Sequence, residues 1–225
     1  MESDRHRGRI IGALILLHMV GSGIVNFALE APLGESPGFM VTAALHSRQL
    51  VVAVVLGIAT EALWLGIAVT AFTIVYPRSQ RLALWFLALA GVILATAIVE
   101  NIGVMSMLSL SDAFAKTTAA DRNQFEASRV IIVSIRDWAH FMTRIVHAGA
   151  MFAFYALLFR CALIPRALAG FGLIAAVLMA TGVGLPLFGY DVVFALLMPM
   201  ALSQLLLSIW LIAKGFDHPV TVATI

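Results

Sequence analysis

Residues 82–110 read LALWFLALAGVILATAIVENIGVMSMLSL. Their first 18 residues, Leu82–Val99, carry no charge. An apolar run of that length reads as a bilayer span, because about 20 residues at ~1.5 Å each cross a hydrocarbon core of ~30 Å. The run then continues through Glu100 and Asn101, a polar pair placed where an aqueous helix would not need it and a lipid-facing helix would not tolerate it. Those two facts together predict a membrane helix that turns one polar spot toward other helices.

Working outward, five more runs have the same character: Arg9–Leu29, Leu50–Val75, Trp138–Phe159, Ala167–Phe188 and Val192–Ala213. The chain is therefore expected to be an all-α, polytopic membrane bundle of six transmembrane helices, one integral membrane domain over 1–225. Composition agrees. Of 225 residues, 62% are hydrophobic and only 12% charged, with a mean hydropathy of +1.02. A soluble domain carries about twice that share of charge. The first run follows Arg5, Arg7 and Arg9 like a signal peptide, but it is longer than a signal core and no small-x-small site follows it, so it reads as a retained span.

The lone cysteine, Cys161, leaves no intramolecular disulfide. The basic residues, behind a sequence pI near 9.0, cluster at the ends of apolar runs rather than in a stripe. Their expected partners are lipid head groups, not nucleic acid. With the N-terminus inside, eight Lys or Arg (Arg5, Arg7, Arg9, Arg78, Arg81, Arg160, Arg166, Lys214) face five outside (Arg48, Lys116, Arg122, Arg129, Arg136). That bias predicts both termini in the cytoplasm. In the outer connections, Ser36-Pro37 reads as a helix start with Pro at the first helical position. Thr118-x-x-Asp121 reads as a capping signal, and Ala119–Arg136 as a helix running on into span four.

Polar and ionisable residues inside spans are functional hypotheses by default. Here they are His18 and Asn26 in span one, Glu61 in span two, Glu100 and Asn101 in span three, His140, Arg144 and His147 in span four with Asp137 at its end, and Gln204 in span six. Asp137, His140, Arg144 and His147 are spaced 3, 4 and 3 apart, one stripe on a helix. Depth also converges: Glu61, Glu100 and His147 lie 10 or 11 residues from the outer ends of their spans, roughly 15–16 Å down. The pattern predicts one polar cavity. Glu61, Glu100, His140, Arg144 and His147 are its candidate catalytic residues. His18, Asn26, Asn101, Asp137 and Gln204 are its candidate substrate-binding residues, and Asn26 and Gln204 also read as interhelical hydrogen-bond glue. Arg144 needs a carboxylate, and Glu61 and Glu100 lie at matching depth. One carboxyl held neutral by desolvation would serve as a general acid.

The stretch YALLFRCALIPRALAGFGLIAAVLMATGV (155–183) resembles the bacterial membrane family called domain of unknown function 4386, and so does PMALSQLLLSIWLIAKGF (199–216). Arg160, Pro165, Arg166, Gly170, Trp210, Leu211, Lys214 and Gly215 fit its pattern. The resemblance is best over residues 137–216 and looser before them. It implies six spans in a bacterial cytoplasmic membrane and no particular activity. Where that family often has Glu, six residues before the Trp, this chain has Gln204, which departs from a shared carboxylate role.

Three functions compete at this level. The first is an intramembrane enzyme doing acid–base chemistry on a lipophilic small molecule, as an isoprenoid-type cyclase or isomerase or as a hydrolase. The second is a transporter or binding protein for a small solute, for which six spans would call for a homo-oligomer. The third is a haem or metal protein built on His140, His147 and His18. No cofactor is specified by the sequence, and no metal ligand set is assigned.

Overall fold

Within hydrocarbon every backbone N–H and C=O must be satisfied inside its own segment, so each apolar run folds as a helix. A computed structural model describes residues 2–117 and 122–216. Among these residues there are eight α-helices and no strand: α1 Glu2–Ile24, α2 Ala31–Gly34, α3 Phe39–Leu45, α4 Ser47–Val75, α5 Gln80–Ala115, α6 Arg122–Arg160, α7 Arg166–Gly184 and α8 Met198–Lys214. A π-helical turn, Val25–Leu29, follows α1, and two short 3₁₀ turns join α7 to α8.

Six helical segments are long and apolar enough to cross a membrane: Ser3–Leu29, Ser47–Val75, Gln80–Ala115, Gln124–Arg160, Arg166–Phe188 and Phe194–Lys214. The protein is a multi-pass, all-α membrane protein. Two helices exceed their expected bounds. α5 has 36 residues and α6 has 39, about 54 Å and about 58 Å long against a core of ~30 Å. The expected continuation of the 119–136 segment into span four is present from Arg122 onward, and the span expected to begin at Trp138 is helical well before it. Hydropathy marks where a helix leaves hydrocarbon; it does not mark where a helix stops. The capping signal Thr118-x-x-Asp121 lies outside the described residues. The expected helix start at Ser36-Pro37 is corrected. That peptide bond is cis, and α3 starts at Phe39, after Gly38 at φ +105° and ψ 161°. Only glycine adopts that conformation readily, so the turn sets the start of the helix and Pro37 stays outside it.

The contacts fall into two compact units, 1–17 with 63–93 and 144–225, and 18–62 with 94–143. α1, α4, α5 and α6 each give one segment to either unit. In the first unit, Trp64, Phe86, Phe154 and Tyr155 are fully buried, with Phe86 stacked on Phe154 at 4.9 Å between ring centroids. Small residues let helices approach as they do in lipid: a Cβ at Gly172 would overlap the Tyr155 ring, and one at Gly12 would come within 2.9 Å of the Ser208 carbonyl. Tyr155 Oη donates to Ser203 Oγ (3.0 Å), which donates to the Met200 carbonyl (3.1 Å). Arg5 Nε donates to the Lys214 carbonyl at 2.9 Å, tying α1 to the end of α8.

Cys161 is buried in the turn after α6. Burial pushes its thiol pKa up, and the guanidinium charges of Arg78 and Arg160 offset this in part. Only the thiolate is nucleophilic. The native protein is therefore expected to take up a membrane-permeant maleimide slowly at pH 8, faster as pH rises, and completely once unfolded in SDS. A mass shift complete in the native state, at the rate of a small free thiol, contradicts this.

In the second unit, α3 docks on α5. Ser111 Oγ donates to the Met40 carbonyl at 3.1 Å and accepts from Ala44 N–H at 2.9 Å. Phe39, Met40 and Ala43 pack there with Leu50, Met107 and Leu108. α5 and α6 approach closely at Gly103, where a Cβ would sit 2.8 Å from Arg136 Cβ. This contact places Arg136 deep against its neighbour.

Candidate functional site

The second unit gathers the polar groups into pairs. The π turn ends α1 with Glu30 N–H donating to the Val25 carbonyl at 2.9 Å. Gln49 Nε2 caps the same turn by donating to the carbonyls of Ala28 (3.0 Å) and Leu29 (3.1 Å). Glu30 is thereby aimed at α6, and Arg136 Nη2 donates to its Oε2 at 2.5 Å. The Glu30 side chain is 8% exposed and that of Arg136 21%, so the carboxylate is buried and the guanidinium partly so. Arg136 Nη1 also donates to Asp137 Oδ1 at 3.2 Å.

One turn further along α6, His140 Nδ1 lies 2.8 Å from Glu100 Oε1. Glu100 is 8% exposed and His140 26%. On α1 and α4, His18 Nε2 lies 3.5 Å from Glu61 Oε2, both buried. Gly21 permits this approach, since a Cβ there would sit 2.6 Å from Thr60 Oγ1.

Each residue expected from the sequence has a place. Glu61 meets His18, and Glu100 meets His140. The sequence predicts that one of these carboxylates pairs with Arg144; each of them also stands beside an imidazole. Arg144, partly buried, and His147, buried, belong to the first unit. There His147 meets the edge of Trp64, rings 4.9 Å apart and perpendicular. Met142 on the opposite face of α6 is exposed. Asp137 is half-exposed beside Arg136. Asn101 is buried, with Nδ2 donating to the Ala97 carbonyl at 2.8 Å. Two readings as interhelical glue differ in outcome. Gln204 reaches across from α8 to α6, with Nε2 3.2 Å from Met151 Sδ. Among the described residues Asn26 bonds on its own segment: its Nδ2 donates to the Ser22 carbonyl at 2.8 Å, one turn back.

Arg136 and Glu30 escape the sequence reading because both fall at span ends, where a charged residue reads as loop. A signal is nevertheless present. Arg136 precedes His140 by four residues, so it lies on the same face of α6 as the stripe.

A family model described as domain of unknown function (DUF4386) matches residues 10–215. The chain belongs to the DUF4386 family. No curated protein and no solved structure matched it. The match extends the resemblance of the C-terminal stretches over α1 to α5 as well, so the Glu30–Arg136, His18–Glu61 and Glu100–His140 pairs of this DUF4386 protein all lie inside the matched region.

Proposed function

We propose that this DUF4386 protein is an intramembrane enzyme performing acid–base chemistry, a cyclisation, isomerisation or hydrolysis, on a lipophilic substrate. The observation that supports this reading most is the 2.8 Å contact between His140 Nδ1 and Glu100 Oε1. With Glu100 ionised the carboxylate only accepts, so Nδ1 carries the proton, and in the neutral imidazole Nε2 keeps its lone pair. An imidazole held this way is a general base and, once protonated, a general acid. His140 is the more exposed partner, so a substrate meets the imidazole first. Glu61, Arg144 and His147 remain in the proposal as further polar groups of the spans.

Within the second unit the haem or metal reading rests on His18 and Glu61, both buried, and not on His140 paired with His147. His140 and His147 are seven residues apart on α6, roughly 10 Å along its axis, and two ligands of one ion each need to be about 2 Å from it. To test the enzymatic reading, lipid extracts are compared by untargeted mass spectrometry from cells producing wild type, Glu100→Gln or His140→Asn. A lipid pool that changes only with wild type is expected. Identical extracts, with solute uptake into proteoliposomes that both variants abolish, would move the assignment to transport.

We also propose a bacterial cytoplasmic membrane location with both termini in the cytoplasm, on the eight-to-five Lys and Arg bias. In a Cys161→Ser background, Glu2→Cys and Ala223→Cys should resist an impermeant maleimide in intact cells and react after permeabilisation. Labelling of either in intact cells reverses the topology.

A further inference from the structure

The second unit holds two carboxylate–imidazole pairs, and their separations differ. His140 Nδ1 and Glu100 Oε1 lie 2.8 Å apart, within the ~2.7–3.2 Å of a hydrogen bond. His18 Nε2 and Glu61 Oε2 lie 3.5 Å apart, beyond that range. The longer spacing matches a different geometry. Two ligands of one zinc-type ion, a nitrogen at ~2.0–2.1 Å and an oxygen at ~2.0–2.2 Å with a tetrahedral angle between them, stand about 3.3–3.5 Å from each other.

The helix contact fixes that spacing. Gly21 lies about one turn after His18 on α1, and Thr60 is next to Glu61 on α4. A Cβ at Gly21 would sit 2.6 Å from Thr60 Oγ1, so α1 and α4 meet beside both side chains. Ser22, four residues after His18, adds an oxygen on the same face: its Oγ is 3.5 Å from His18 Nε2. The His18 and Glu61 side chains are 5% and 7% exposed, so an ion between them would be shielded from bulk water.

The donor set selects the ion. Imidazole nitrogen suits zinc, iron, nickel and copper, whereas calcium and magnesium take oxygen ligands in larger number. The carboxylate supplies negative charge to a divalent ion held within membrane-spanning segments. Two protein ligands from this unit leave the other positions open, and an open position can take water or a reacting molecule. Neither Glu100 nor His140 belongs to this set. We propose that His18 Nε2 and Glu61 Oε2 bind a divalent transition-metal ion of the zinc class. The site is independent of the acid–base role given to Glu100 and His140.

The test uses the full-length protein, purified in dodecyl maltoside without a polyhistidine tag, stripped with EDTA and titrated with Co²⁺. One cobalt ion per chain is expected, with the strong visible absorption of a four-coordinate site and displacement by Zn²⁺. His18→Asn and Glu61→Gln should each weaken cobalt affinity by at least about 100-fold, the upper end of what losing an outer-shell partner costs. His140→Asn and Glu100→Gln should bind cobalt as wild type does, so the metal site and the acid–base reading fail separately. A second measurement needs no substitution: in wild type, Fe²⁺ with ascorbate and oxygen should oxidise the His18 imidazole and spare His140, as read by peptide mass spectrometry. Three results would each overturn the proposal. They are a wild type that holds no zinc as purified and takes up no cobalt, a folded His18 or Glu61 variant that binds as tightly as wild type, and oxidation that marks His140 and passes over His18.

Discussion

Arg136→Met is expected to destabilise the protein by about 3–5 kcal/mol, as removal of one partner of a buried ion pair does. The cost comes from Glu30. Its side chain is 8% exposed, and without the guanidinium it is left as an uncompensated charge away from water. Asp137, half-exposed, contributes little by comparison. Methionine keeps the Cβ that packs against Gly103, so the effect isolates charge from packing. Glu30→Gln in the same chain should restore most of the loss. The measurement is thermal unfolding in one detergent for wild type, both single variants and the double variant, which closes a cycle. A loss below about 1 kcal/mol for Arg136→Met, or no coupling to Glu30, would mean that water screens the pair.

Loss of His140 should have the largest effect on turnover. If its Nε2 moves a proton in the rate-limiting step, His140→Ala lowers that rate by about 10²–10⁴-fold. Glu100→Gln removes the charge that stabilises the imidazolium while conserving shape, so it should also slow the reaction. The readout is conversion of the lipid pool found with wild type, in purified protein whose unfolding temperature has been checked. Turnover equal to wild type in both variants would reduce the 2.8 Å contact to a structural pair.

Hydropathy alone locates the six spans, because length and lack of charge are the whole requirement for crossing hydrocarbon. It also locates Glu61, Glu100, His18 and His140, since an ionisable side chain in such a run stands out one residue at a time. Partners are harder to read. Arg144 stands out as the cation in the middle of a span, while Arg136, which reads as a loop residue, holds a buried carboxylate. Its role depends on Gly103, on the π turn that aims Glu30 and on a helix that continues past the apolar run, and none of these has a hydropathy signature. Asn26 shows the same limit: an amide in a span satisfies itself equally well on its own backbone or on a neighbour, and composition does not distinguish the two. Ser36-Pro37 resembles a helix start because proline suits that position, but the adjacent Gly38 takes a conformation that puts the start two residues later.

The π turn at Val25–Leu29 behaves as a one-residue insertion in a helix that would otherwise continue. Deleting Phe27, which is 87% exposed and contributes nothing to the core, would convert the turn to ordinary α geometry. A π turn takes up its extra residue as a local bulge, so the chain on either side keeps its register when that residue is lost. Glu30 would then still face Arg136. The turn therefore absorbs a change in chain length without cost to the ion pair: two relatives that share Glu30 and Arg136 could differ by one codon here and keep the same contact.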